Sequence, residues 1–218
     1  MRRPMTLARI ASSPVSPAKH AADADRREHI MAAAERAFVK FGFHATTMQN
    51  VADEAGMSAG NLYRYFPSKE AIVEELCLVD QAQRAKVFAA LAGRCHLLQA
   101  IELSLREHVL SKPAEKARMI VEIWAEAGRN PRVAAITRAV DDDVLSGLQR
   151  VVTAAKASGV AAATLDPSFA ARVIFTLVAG LFRRLALEPA FDPRIETAMA
   201  IGVLRALFAG ALAPIEEI

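Results

Sequence analysis

The sequence predicts an all-α protein of about nine helices, divided between a small N-terminal unit and a larger C-terminal unit. The 218 residues include 45 alanines, the residue with the highest helix propensity, but only 10 glycines and 10 prolines. Apolar side chains recur at helical spacing along most of the chain. Three Asn-Pro or Asp-Pro pairs add a pattern typical of helix starts, in which a capping side chain precedes a proline. No strand-like alternation of convincing length competes with these signals.

The composition of residues 1–22 predicts a flexible basic tail. They combine prolines and serines with four basic side chains, and they show no periodicity. The basic residues could contact a phosphate backbone, or the tail could be solvated and have no role. Asp25 with Glu28 then favours a helix start, and Gly42 favours its end, so the first helix is expected at about 25–42.

Two short helices follow in close succession. Thr46 and Gln49 form a T-x-x-Q pattern that predicts a capping box at the start of the second helix, which runs into Gly56. Ser58 is expected to cap a third short helix over 59–65. Two short helices joined by a tight turn that contains glycine are typical of a helix-turn-helix.

The rest of the chain predicts longer helices with clear boundaries. Ser68 is expected to cap a fourth helix that starts near Lys69 and continues to about Ala92. Further helices are expected near 97–110, 113–128, 131–158, 167–187 and 193–210.

Charge and composition exclude several classes of protein. The net charge of +3 arises in the first 70 residues, which hold 10 basic and 7 acidic side chains, and the remainder is balanced. This asymmetry hints at a polyanionic partner, although residues 25–70 hold six charges of each sign and the surplus lies in the tail. The most apolar run, 173–182, is too short to span a membrane. The N-terminus lacks the apolar stretch of a secretory signal, so a cytoplasmic protein is expected.

No catalytic or metal-binding constellation is evident. Cys77 and Cys95 are too few for a disulfide framework and are not spaced as metal ligands. The histidines, among them His96 and His108, belong to no cluster with ligand spacing. We find no nucleophile with its base and no phosphate loop, so neither an enzyme nor a cofactor is expected.

The segment Ala45–Glu70, ATTMQNVADEAGMSAGNLYRYFPSKE, resembles the N-terminal DNA-binding domain of the TetR family of transcriptional regulators. The residues that match the family pattern are Thr46, Thr47, Ala55, Gly56, Met57, Ser58, Gly60, Leu62, Tyr63, Tyr65, Phe66, Lys69 and Glu70. The resemblance covers roughly residues 25–72, and the later helices are similar to the more variable ligand-binding and dimerisation domain of that family. It implies four parts: the tail (1–22), the DNA-binding domain (23–70), a connecting helix (71–95), and a ligand-binding and dimerisation domain (96–212).

The third helix and the residues close around it carry the candidate DNA contacts. It begins with small residues, which allow a helix N-terminus to enter the major groove. The candidates are Thr46, Thr47, Ser58, Ala59, Gly60, Asn61, Tyr63, Arg64, Tyr65 and Lys69.

The resemblance divides these candidates into two roles. Thr47, Tyr63 and Lys69 look like phosphate contacts, whereas Gly60, Asn61 and Arg64 look like groove readers. Alternatives from the residues themselves stay open: Thr46 could only cap its helix, Tyr65 could be half core, and Arg64 could be a solvated charge. Leu62 and Phe66 are interpreted as core, packed on the first helix.

An effector pocket and a dimer face are expected in the C-terminal domain. Pocket candidates are Leu103, His108, Met119, Glu122, Ile123, Trp124, Glu126 and Arg138, although Trp124 could be core and the two glutamates could face water. The last two helices are apolar on more than one side and rich in small residues. By resemblance they form the dimer interface, at Phe169, Val173, Thr176, Ala179, Gly180, Arg183, Met199, Gly202, Val203 and Ala206, unless they form an ordinary intrachain core.

These features predict a ligand-responsive, homodimeric repressor that binds a pseudo-palindromic operator in double-stranded DNA. The alternative is a non-enzymatic helical interaction protein without specific DNA binding, which would explain the helices but not the Ser-Ala-Gly-Asn start of the third one.

Overall fold

The computed structural model of the chain describes residues 17–92, 94 and 96–212, with side chains from residue 22 onward except at position 108. These residues form nine α-helices and no strand, which confirms the predicted fold class. The helices are α1 (Pro17–Phe41), α2 (Met48–Glu54), α3 (Ala59–Tyr63), α4 (Lys69–Leu91), α5 (Leu97–Leu105), α6 (Ala114–Ala127), α7 (Pro131–Ala157), α8 (Pro167–Leu187) and α9 (Pro193–Phe208). Helix α5 continues into a π-helical segment, Arg106–Leu110.

Side-chain caps fix most of the helix starts. Asn130, Asp166 and Asp192 each accept backbone N–H groups from the first turn of the helix that follows, and each precedes a proline at the first helical position. Ser58 and Ser68 cap α3 and α4 in the same way. The starts expected at these five positions are therefore confirmed.

Two predicted boundaries are wrong. Helix α1 is already helical at Pro17, so residues 17–22 of the expected tail belong to it; residues 1–16 lie outside the described part of the chain, as does Cys95. The capping box of α2 uses Thr47 and Asn50 instead of Thr46 and Gln49. Both pairs have the spacing of a capping box, and Thr46 is engaged elsewhere, as described below.

Two hydrophobic clusters organise the packing. The C-terminal cluster joins α5, α7, α8 and α9. The N-terminal cluster joins α1 to α4, but it also includes Met119 of α6 and Val133 and Ile136 of α7. The N-terminal unit (α1–α3 and the first half of α4) therefore completes its core with helices of the C-terminal unit (α5–α9). Further along α4, the ring of Phe88 packs so closely on Gly147 of α7 that a Cβ atom there would overlap it.

None of the helices in the described ranges combines the length and the apolar character that a bilayer span requires.

Candidate nucleic-acid interface

Helices α2 and α3 are set by local interactions. The Thr47 hydroxyl accepts the Asn50 N–H at 3.2 Å, and the Asn50 side chain accepts the Thr47 N–H at 2.9 Å. Gly56 follows α2 with a φ of +64°, a left-handed conformation that glycine adopts at little cost. Ser58 then accepts the Asn61 N–H at 3.3 Å. The start of α2 is thus fixed by the Thr47 cap, and the turn between α2 and α3 by Gly56 and the Ser58 cap.

The inner face of α3 is anchored in the N-terminal cluster. Leu62 and Phe66 are fully buried, and they pack in one cluster with Ile30 and Phe38 of α1. The interpretation of both residues as core is confirmed. Because this face is buried, the opposite face and the N-terminal end of α3 remain at the surface.

The N-terminal end of α3 is small and open. Ser58 and Gly60 are exposed, whereas Ala59 and Asn61 are half-buried. Beyond the adjoining residues and backbone of its own helix, nothing in the described part of the chain lies within 4 Å of the position that a Cβ of Gly60 would occupy. The Asn61 side-chain amide makes no hydrogen bond to any residue in the described ranges, so its donor and acceptor can both meet a base edge. The structure therefore brings these four predicted residues together at one accessible helix end.

The residues that end α3 differ in accessibility. Tyr63 is 53% exposed and Arg64 is exposed. Tyr65 is half-buried against the N-terminal cluster, so it contributes to the core as the sequence allowed. Tyr63 and Arg64 can reach a phosphate backbone next to the helix end.

Thr46 does not fit the predicted DNA contact. Its side chain is buried, with 2% of its surface exposed, and its hydroxyl donates to the Gly42 carbonyl at 2.6 Å and lies 3.3 Å from the Ala37 carbonyl. Ala37 lies near the end of α1, and Gly42 directly follows this helix. Thr46 therefore closes the C-terminus of α1, and the prediction for this residue is wrong.

Lys69 binds the backbone of its own chain. Its ammonium group donates to the carbonyls of Phe43, His44 and Thr46 at 2.9, 2.8 and 3.2 Å. An ammonium has three donors, and all three are occupied. Its Nζ also lies 4.7 Å from the centre of the Phe43 ring. Lys69 therefore fixes the α1–α2 loop (residues 42–47), and its phosphate contact stays a prediction. The hydroxyl of Thr47 is exposed but shared with Asn50.

Arg27 is a supporting residue that the sequence did not reveal. Its guanidinium pairs with Glu75 of α4 at 2.9 Å, donates to the Tyr65 carbonyl at 3.1 Å and stacks 4.4 Å from the centre of the Phe66 ring. It thereby joins α1 to the end of α3 and to α4. The contacts span 38 to 48 residues, and no local pattern signals them.

The predicted pocket residues Met119, Ile123 and Trp124 on α6 contact different parts of the protein. Met119 is buried and Ile123 is half-buried, but both pack against the N-terminal cluster. Trp124 is 38% exposed, and its ring meets the edge of Phe182 of α8 at 6.3 Å between centroids. Successive turns of α6 thus face different neighbours, which separates these candidates.

The remaining pocket candidates are also dispersed. Leu103 and Arg138 are exposed on α5 and α7, and the side chain of His108 lies outside the described residues. Two of the surface grooves in the described C-terminal unit are lined by residues other than the eight pocket candidates. One, of about 250 Å³, lies between α7 and α8 and is lined by Asp142, Leu145, Ser146, Gln149, Ser168, Ala171 and Arg172. The other, of about 300 Å³, lies beside α9 and is lined by Glu102, Arg106, Arg194, Thr197, Ala198, Ile201, Gly202 and Arg205. The effector pocket therefore stays a prediction.

The predicted dimer residues occupy an incompletely covered surface of the last two helices. Phe169 and Val173 pack partly against the C-terminal cluster, so they belong in part to the intrachain core. Ala179, Val203 and Ala206 are half-buried. The exposed members, which we call the α8–α9 face, are Thr176, Gly180, Arg183, Met199 and Gly202.

Comparisons with known proteins agree with the helix-turn-helix. A family model described as bacterial regulatory proteins of the tetR family matches residues 30–76. A second model, the C-terminal domain of BetI-type transcriptional repressors, matches residues 93–213, more than half of the chain. The chain belongs to the TetR family of transcriptional regulators. As a TetR-family protein it carries a DNA-binding helix-turn-helix, and the resemblance seen in the sequence is confirmed.

Full-length relatives support the same assignment. The HTH-type transcriptional regulator UidR of Escherichia coli K12 is 27% identical over 85% of this chain and 92% of its own length. The structure of Salmonella enterica GusR superposes with a TM-score of 0.73 at 28% identity, covering 84% of this chain and 95% of GusR. The structure of a SmeT–triclosan complex shares the fold, with a TM-score of 0.71 at 20% identity over 89% of this chain and 98% of SmeT.

Proposed function

We propose that this TetR-family regulator is a homodimeric repressor that binds a pseudo-palindromic operator and releases it when a small molecule binds. The observation that carries DNA recognition is the open N-terminal end of α3, where the accessible amide of Asn61 lies beside the small residue Gly60. Serine caps and a buried core hold this end in place, so it can enter a major groove without rearrangement.

The proposed dimer follows from the α8–α9 face. Gly180 and Gly202 are exposed, and apart from the adjoining part of its own helix no described atom lies within 4 Å of the position that a Cβ of either residue would occupy. Met199 is exposed beside them, as is Ile195 on the same helix. Apolar and small residues that lie open in one chain suit the close approach of a second copy with two-fold symmetry. Two α3 helices about 34–36 Å apart would then read successive major grooves.

The proposed response to a small molecule is supported by the family and by the SmeT–triclosan complex, in which that protein is bound to triclosan. A ligand can shift the protein between two shapes only by binding one of them more tightly. Trp124 is the only tryptophan and lies against Phe182, so its fluorescence reports on the contact between α6 and α8. A thermal-shift screen, followed by tryptophan fluorescence, would identify the effector class, because a ligand of the native state raises its stability.

Binding to the DNA upstream of the chain's own coding region tests the proposal. A gel-shift titration should show tight binding to a palindromic segment there, and affinity should fall steeply with salt because phosphate contacts release counterions. Binding that is equal for all duplexes of the same length would contradict specific recognition. Retention of full affinity in the presence of every stabilising ligand would contradict the release step.

A further inference from the structure

The α1–α2 loop is held from within the N-terminal unit on one side. Gly42 begins the loop with a φ of +78°, and Lys69 binds three of its carbonyls. The loop leads directly to Thr47, the cap of α2. Any movement of the loop is therefore passed to α2 and α3, which carry the DNA contacts.

Helix α6 of the C-terminal unit holds the same loop from the other side. The Glu122 carboxylate accepts the backbone N–H of Phe43 at 2.7 Å. The contact is so close that a Cβ atom at Gly42 would lie 2.9 Å from the same carboxylate oxygen. This short, charge-assisted hydrogen bond joins backbone in one unit to a side chain 79 residues away in the other.

Glu126, one turn further along α6, makes a second connection. Only 6% of its surface is exposed, and its carboxylate accepts from Arg129 Nε at 2.6 Å and lies 3.2 Å from His44 Nδ1. Burial alone would raise the pKa of Glu126, but the hydrogen bond and charge of Arg129 and the hydrogen bond with His44 bring this pKa below its usual value. The carboxylate is therefore ionised at neutral pH, and His44 supplies one of its two partners from the loop.

We infer that Glu122 and Glu126 are positioning residues for DNA binding, which fix the α1–α2 loop, and with it α2 and α3, to helix α6. This inference rests on the proposed function, because a fixed orientation matters only if two α3 helices must match two grooves. Helix α6 is attached in turn to α8, through Trp124 with Phe182 and through Arg118, which donates to the Ala186 carbonyl at 3.1 Å. The connection therefore runs from the proposed dimer helix α8 through α6 to the DNA-binding end of α3.

Other polar contacts between the two units end on helices and not on the loop, among them the hydrogen bond that Asn130 donates to Glu70 of α4 at 3.3 Å. Lys116 of α6 pairs with Glu35 of α1, and Arg132 of α7 lies 3.6 Å from Glu74 of α4, but both pairs are accessible to solvent. Solvent-exposed ion pairs contribute little because water screens them. The bonds of Glu122 and Glu126 differ in that they end on the loop itself and one carboxylate is buried.

The test measures how strictly the protein requires the spacing of its half-sites. The full-length protein is titrated with its selected operator and with the same operator carrying two extra base pairs at the centre. Wild type should bind the lengthened operator far more weakly. In Glu122→Ala combined with Glu126→Gln, this discrimination should fall by about tenfold to a hundredfold, the range expected for a lost hydrogen bond to a charged group. Glu115→Ala is the matched control, since Glu115 is exposed on α6 and makes no hydrogen bond or ion pair within the described residues.

Conservative replacement separates positioning from simple loss of charge. Glu122→Gln keeps an oxygen that can accept the Phe43 N–H, so it should retain most of the discrimination, whereas Glu122→Ala alone should not. Discrimination that is unchanged in the double variant, with wild type discriminating normally, would overturn the inference. If wild type itself binds no operator specifically, the proposed function fails instead.

Amide hydrogen exchange at Phe43 tests the hydrogen bond between Phe43 and Glu122 in the absence of DNA. Exchange at this position should rise by about tenfold or more in Glu122→Ala and stay unchanged in Glu115→Ala. Equal protection of Phe43 in wild type and in Glu122→Ala would overturn the inference, whatever the DNA measurements show.

Discussion

The N-terminal end of α3 and the α8–α9 face are both open in the single chain, but they differ in chemistry. At α3, the Ser58 cap and the buried inner face hold the helix in place, and its N-terminal end presents polar groups that include the amide of Asn61. At α8 and α9, small and apolar residues such as Gly180 and Met199 are exposed. A polar end suits the base edges of DNA, whereas an apolar face needs cover from another apolar surface. The two surfaces therefore suit the two different partners proposed for them, DNA and a second copy of the chain.

The largest expected effect is a loss of stability when a residue on the buried face of the segment around α3 is truncated. Phe66→Ala removes a fully buried ring from the N-terminal cluster and should lower the free energy of unfolding by about 3–5 kcal/mol. Thermal or urea unfolding followed by circular dichroism measures it. Tyr63→Ala, three residues earlier and exposed, is the control and should change stability little while weakening DNA binding. Equal destabilisation by both variants would contradict the division into a buried and an open face.

Gly180→Arg tests the apolar surface. The glycine is helical and exposed, with open space around it in the described chain, so arginine should improve helix propensity while its charge prevents close approach of a second copy. We expect the dimer to weaken by about 2 kcal/mol or more, the cost of disrupting a central interface position. Sedimentation equilibrium measures the change. Ala135→Arg, at an exposed position of α7 outside the face, should leave the mass unchanged. An unaltered dimer in Gly180→Arg would place the interface elsewhere.

Asn61→Ala tests the polar surface. Loss of the amide should cost about 1–3 kcal/mol of discrimination between operator and altered operator, because a bidentate base contact disappears. Competition titrations with operator variants measure this discrimination. Gln149→Ala, at an exposed position of α7, is a control that should leave it intact. If Asn61→Ala weakens all duplexes equally, the residue contacts phosphate and not a base.

The smallest expected effect concerns the cap of α2. Thr47→Ala removes the hydroxyl that accepts the Asn50 N–H and should lower the free energy of unfolding by about 1 kcal/mol. Thr47→Ser keeps the acceptor and should be close to wild type. Denaturant unfolding of the three proteins checks both values, and an equal loss in the serine variant would show that the hydroxyl is not the stabilising group.

Local interactions account for the part of the fold that the sequence predicts. Caps such as Asn130 and Asp166 act within three residues, so helix starts follow from local pattern. The helix-turn-helix was predictable for the same reason. Thr46 is misassigned because the motif identifies a residue without showing whether its side chain faces DNA or its own backbone.

The C-terminal unit was predicted less well because its contacts are long-range. Glu122 and Glu126 share a helix face at a spacing that equally suits solvent, and only the folded chain brings them to Phe43 and His44. Likewise, the apolar periodicity of α6 does not show that Met119 joins the N-terminal cluster instead of a pocket. No local rule distinguishes a helix face that lines a cavity from one that packs on a neighbouring unit.

The most direct test of the two-surface description is the native mass of the complex formed with a full operator and with a single half-site. The full operator should bind two copies of the chain together, and the half-site should bind much more weakly, because the α8–α9 face couples two α3 helices. One copy bound to each duplex, with equal affinity for the half-site and the full operator, would contradict it.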